Sequence, residues 1–222
     1  AESSLNSDSS PSNSSNTDVV EISPSDSVSS SGGNLTSEAS DFQRLSWIAN
    51  IGGMFGGSLV IHLLPDLAVS LGIPADQHGV ILAGWRSVIV VTYLVLHRFS
   101  FWQFRMSVSV ASQLLAFCGL LLIAAADNLV VLSIGLAMLG QLVGYNYFAG
   151  LFYSTVGSKK QQRATAAGIH EATLAVGMAV GTSIGGFIGS AVSHSAPYVL
   201  AAMMLLVLLL VQIGLRRRQR LL

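Results

Sequence analysis

The chain has 222 residues, of which 51% are hydrophobic and only 10% charged, with a mean hydropathy of +0.62. This composition excludes an ordinary soluble domain and points to a membrane protein. The formal net charge of zero averages two unlike regions. Seven of the eleven acidic residues fall between Glu2 and Asp41, and no lysine or arginine precedes Arg44.

Residues 1–41 are serine-rich, acidic and free of apolar periodicity. Such a segment buries too little surface to offset its ordering entropy, so a disordered cytoplasmic tail or linker is expected. Asn13-Ser14-Ser15 and Asn34-Leu35-Thr36 match the glycosylation sequon, a match common by chance in serine-rich tracts. The first forty residues have neither a basic nor an apolar leader region, and the sequence opens on Ala1. A processed chain or a piece of a longer one is expected.

Residues 42–222 contain six apolar runs, each about the twenty residues that cross a hydrocarbon core as a helix. They are Leu45–Leu64, Gly79–Leu96, Met106–Ala126, Leu129–Tyr153, Ala164–Val192 and Ala196–Leu215. None shows the alternation of a barrel strand, so an all-α membrane domain is expected. Pro65, Pro74 and Pro197 lie at run boundaries, where a missing N–H does least harm.

Basic residues follow the even runs: Arg98 and Arg105, then Lys159, Lys160 and Arg163, then Arg216, Arg217, Arg218 and Arg220. Asp66, Asp76 and Asp127 occupy the odd connections. The positive-inside rule then puts both termini in the cytoplasm, in a multi-pass protein of the inner or plasma membrane. A basic cluster directly after an apolar run reads as a topology anchor rather than a nucleic-acid site. Trp47, Trp102 and Tyr198 fit interfacial positions, and Cys118, the one cysteine, is expected to be a small buried apolar residue.

Two charges lie inside runs: Arg86 in the second and Glu171 in the fifth, the latter beside His170. Counted from opposite surfaces at about 1.5 Å per residue, both reach comparable depth. A lone charge there costs at least a few kcal/mol, so an ion pair or a shared polar network is expected, serving as a brace or in gating and coupling. Gly177, Gly181, Gly185 and Gly189 recur every fourth residue after Thr173, forming a smooth stripe for close helix approach; Gly52, Gly53, Gly56 and Gly57 repeat the device. Gln141, Tyr145 and Tyr153, with Asn146 nearby, give the fourth run a polar face suited to a substrate cavity; Asn50 and Gln113 are isolated.

Runs one and four are glycine-rich with polar insertions, whereas three and six are plain and expected to face lipid. Character therefore repeats after three helices, and an odd count inverts the second triplet: a 3+3 inverted repeat. Motifs for other chemistries are missing. There is no GxxxxGK[ST] for nucleotide hydrolysis, and Glu171 is followed by Ala172, Thr173 and Leu174 rather than completing a zinc HExxH, so no metal or other cofactor is implied. The Gly-x-Ser-Gly of a rhomboid-type protease fails at Ile184, and no Asn-Pro exists for an aquaporin-type channel.

This architecture, together with RATAAGIHEA (Arg163–Ala172) leading into the glycine stripe, resembles the C-terminal half, helices seven to twelve, of a major facilitator superfamily transporter. The connection HRFSFWQFR keeps basic residues after the second run but lacks the G-x-x-x-D-R-x-G-R-R pattern of that family. The resemblance implies secondary active transport of a small solute by alternating access, with an N-terminal six-helix half or a second copy as partner. Runs one, two, four and five would then line the path, and the hydrophilic segment 1–41 would be the loop between halves. A non-transporting membrane scaffold or sensor is the alternative.

Overall fold

A computed structural model describes residues 29–219, and the side chains from residue 38 onward. Among these residues there are helices and no strands: α1 (Ser29–His62), α2 (Leu64–Ser70), α3 (Ala75–Arg98), α4 (Met106–Ala124), α5 (Leu129–Val156), a 3₁₀ turn (Lys160–Gln162), α6 (Arg163–Ala191) and α7 (Ala196–Gln219). Five are long and apolar enough to cross a membrane, and a sixth span is made if α1 and α2, bent by 55°, count as one. The bend has a local cause. Pro65 has no N–H to give the carbonyl of Ile61, so the helix cannot continue straight through it.

The largest departure from the sequence reading is the start of α1. Residues 29–41 were expected to be disordered, yet they extend the first span into a helix of 34 residues, about 51 Å long and well beyond the hydrocarbon core. Arg216 near the end of α7 explains the order at Glu38 and Asp41. Its guanidinium lies 2.8 Å from Glu38 and 3.7 Å from Asp41, stacks 4.7 Å from the Phe42 ring, and is flanked by Gln219 donating to Asp41 at 3.0 Å. Residues 1–28, with most of the serine-rich segment and the Asn13 sequon, lie outside the described residues; Asn34 lies within α1.

α1 and α5 form the centre. α1 packs on α5, α6 and α7, while α5 packs on α1, α3 and α4 and more lightly on α6. α4 and α7 close the back of the bundle against each other. α3 and α6 stand at the front without packing extensively together, which leaves a cleft between them.

Close approaches are made at glycines. A Cβ on Gly177 would lie 2.6 Å from the Ile51 carbonyl oxygen; one on Gly181 would meet the Ser58 hydroxyl and lie 2.6 Å from the Phe55 carbonyl; one on Gly185 would meet Leu59. Gly189 departs from this pattern, facing Pro197 at an ordinary 3.4 Å, so the stripe packs α6 on α1 for three of its four members. The α3–α5 contact uses the same device at Gly140 and Gly144, against Trp85 and Thr92. The spacing of four that marks α6 was equally present there.

The plain back helices hold one polar link. Gln113 of α4 and Gln212 of α7, both buried, exchange amide hydrogen bonds of 3.2 and 2.9 Å. Cys118, expected inside, is exposed on α4, because the neighbouring Gly119 takes the interface position against Gly135. Trp102 and Tyr198 are packed within the ends of the bundle, donating to the carbonyls of Leu96 (2.9 Å) and Leu59 (3.4 Å), whereas Trp47 donates to Ser154 at 3.2 Å.

Gly181→Ala should lower thermal stability by about 1–3 kcal/mol, because backbone atoms on both sides must separate. Gly186→Ala, whose Cβ meets nothing within 4 Å, should be neutral or stabilising by up to about 1 kcal/mol. Detergent-solubilised melting curves of the two variants check the contrast; equal losses would contradict the packing.

Candidate functional site

Arg86 and Glu171 do not form the expected ion pair; among the described residues the ion pairs are those of Arg216. Both side chains are exposed and both line one cavity of about 370 Å³ at the cleft between α3 and α6. Arg86, Ile89 and Tyr93 of α3 form one wall, and Glu171, Leu174, Ala175 and Met178 of α6 the other, with Met54 of α1 and Val143 and Tyr147 of α5 between them. The Arg86 guanidinium lies 4.7 Å from the centre of the Trp85 ring, a cation–π contact that supports it without neutralising it. Tyr93 and Tyr147 approach with ring centres 5.9 Å apart.

Behind Glu171 lies a buried polar layer joining α1, α5 and α6. His170 and Asn50 are both fully buried, and the Asn50 amide donates to His170 Nδ1 at 2.9 Å. An amide nitrogen only donates, so Nδ1 accepts and the neutral ring carries its proton on Nε2. Asn146 of α5 donates to the Ala49 carbonyl of α1 at 2.8 Å. Gly150 makes room for the pair, since a Cβ there would lie 2.6 Å from the His170 ring. The Tyr147 ring meets His170 edge-on at 5.4 Å, linking this layer to the cavity. His170 Nε2, Asn50 Oδ1 and Asn146 Oδ1 have no hydrogen-bond partner among the described residues. Such orphaned groups are costly in a low-dielectric interior and mark a place for further polar contacts.

The polar face read on the fourth span divides differently. Gln141 exchanges hydrogen bonds of 3.0 and 3.1 Å with Ser112 of α4. Tyr145 is buried against Trp102, and the Tyr153 hydroxyl accepts from the Phe104 amide at 2.9 Å. These three serve the α4 side and the α3–α4 connection, not the charged cavity. Tyr147 reaches the cavity because it follows Tyr145 by two residues, about 200° around the helix. Tyr93 was missed, lying in the apolar stretch VIVVTYLVL of the second run. A larger groove of about 510 Å³ between α3 and α5 contains no charged side chain and is mostly apolar, with Gln77 and Ser133 among its lining residues.

No protein-family model matches the chain, and neither curated proteins nor solved structures give a significant match.

Asn50→Ala and His170→Ala should each destabilise the protein by about 1–3 kcal/mol, because each strands the other polar group. The double variant should lose less than the sum, by about 0.5–3 kcal/mol of coupling. Strict additivity in a double-mutant cycle of melting free energies would disprove the link.

Proposed function

We propose that residues 42–222 are the C-terminal half of a secondary transporter of the major facilitator type, moving a small solute by alternating access. One observation carries this reading above the rest: two opposite charges, neither ion-paired among the described residues, face one cleft of the helical domain. Intramembrane charges of this kind belong to solute or ion pathways, because a purely structural role is better served by pairing them.

The most extensive helix contacts support a 3+3 inverted repeat, although the lighter α5–α6 and α6–α7 contacts lack counterparts of similar extent. Exchanging spans one, two and three with four, five and six converts the α1–α6 contact into α5–α3 and the α1–α7 contact into α5–α4, and all four contacts are present. α4–α7 and α1–α5 convert into themselves. In such a repeat the solute site lies at the interface between the repeats near the bilayer midplane, and alternating access rocks one body against the other around it. A cleft open at the front calls for a second six-helix body to enclose it, supplied by an N-terminal half or another copy.

The ends of the bundle agree with the proposed orientation. The Glu38–Arg216 pair, the Gln43–Ser158 hydrogen bond of 3.0 Å and the Phe104–Tyr153 contact gather the start of α1, the end of α7 and both basic connections at one end. Asp66 and His194 lie at the opposite end. The positive-inside rule makes the basic end cytoplasmic, and the absence of a P-loop leaves an ion or solute gradient as the energy source.

In proteoliposomes containing the native polypeptide, Arg86→Gln and Glu171→Gln should each reduce solute counterflow about tenfold or more, the loss expected for one charged contact. Normal melting temperatures in both variants would separate this loss from misfolding. Full counterflow in both would sink the charged-cleft mechanism, and no counterflow of any solute in the unmodified protein would favour a scaffold or sensor.

A further inference from the structure

We infer that the solute taken by this cleft is a small zwitterion with an apolar body, the chemistry of a neutral amino acid, its carboxylate toward Arg86 and its ammonium toward Glu171. The inference rests on the transport reading and gives its site a substrate class. Arg86 is held on α3 over Trp85, and Glu171 projects from α6 on the other wall of the same cavity. With no extensive packing between α3 and α6, the two charges are presented from walls that are not locked together.

Each class of small solute leaves a different electrostatic residue. A simple anion satisfies Arg86 and leaves Glu171 in the cleft without a counter-charge, now beside added negative charge; a simple cation does the reverse. An uncharged solute displaces water from both and compensates neither, which is costly in a low-dielectric site. A zwitterion supplies both counter-charges in one molecule and keeps the filled site neutral. The guanidinium offers a planar fork matched to a carboxylate, whereas the Glu171 carboxylate accepts from an ammonium.

The remaining walls favour an apolar body. Met54, Ile89, Leu174 and Met178 surround the charges, with Tyr93 and Tyr147 giving ring faces and hydroxyls. A volume of about 370 Å³ falls at the small end of the range for ligand pockets. That volume is enough to admit one amino acid.

The test is equilibrium binding to the native polypeptide in nanodiscs, using radiolabelled neutral L-amino acids from alanine to tryptophan as probes. The best binder is then compared with its amide, which lacks the carboxylate charge, and its N-acetyl derivative, which lacks the ammonium. Both analogues should bind at least about tenfold more weakly than the parent amino acid, the loss of one charged contact. Arg86→Gln should abolish discrimination against the amide only, and Glu171→Gln discrimination against the N-acetyl derivative only; a merely structural role for either residue would not give this crossed pattern. Failure of every neutral amino acid to bind, or equal binding of parent and analogues, overturns the zwitterion assignment. Counterflow of another solute in that case would leave the transport reading standing, whereas selective amino-acid binding without counterflow would support the site and overturn transport.

Discussion

Helices that meet in hydrocarbon gain little by hiding leucine from lipid, because the tails are as apolar as the side chain. Their contacts must come from close backbone approach and from polar groups with nowhere else to go. The α1–α6 seam meets the first condition with Gly177, Gly181 and Gly185 lying directly on the backbone of Ile51 and Phe55 and on the side chain of Leu59. The same seam brings His170 onto Asn50. Packing and polar satisfaction are therefore one constraint here: were α6 held farther off by side chains, the imidazole could not reach its amide.

That constraint also sets the direction of Glu171. His170 turns inward to the α1–α5–α6 junction, and the next residue, about 100° further around the helix, faces the cleft. Arg86 is set on the opposite wall by the matching α3–α5 seam, where Trp85 packs over Gly140 and the adjacent residue turns outward. On each wall, an inward aromatic or imidazole ring in a glycine-lined seam aims the following charge at the cavity.

Much of this was legible in the chain because the lipid environment restricts the alternatives. The six apolar runs matched helices within a few residues at most ends, and the i, i+4 glycines marked the seam that α6 forms with α1. The unpaired charges also stood out by type and depth. What could not be read was azimuth across helices: Gln141 and Tyr145 look as if they share a cavity with the charges, yet they turn to α4 and line a separate groove between α3 and α4, because nothing local says which neighbour occupies that side. The order at Glu38 and Asp41 was equally hidden. It depends on Arg216, 178 residues beyond Glu38, and local composition gives no sign of so distant a partner.

The reciprocal amide pair between Gln113 and Gln212 has a mechanical consequence. Sliding α4 past α7 by one turn, about 5.4 Å, would break both hydrogen bonds at once and leave two carboxamides facing hydrocarbon. Unlike a seam of leucine, which tolerates displacement by exchanging one contact for another, this seam has one favoured register. α4 and α7 are thereby held in register, whereas α3 and α6 at the front have no comparable latch.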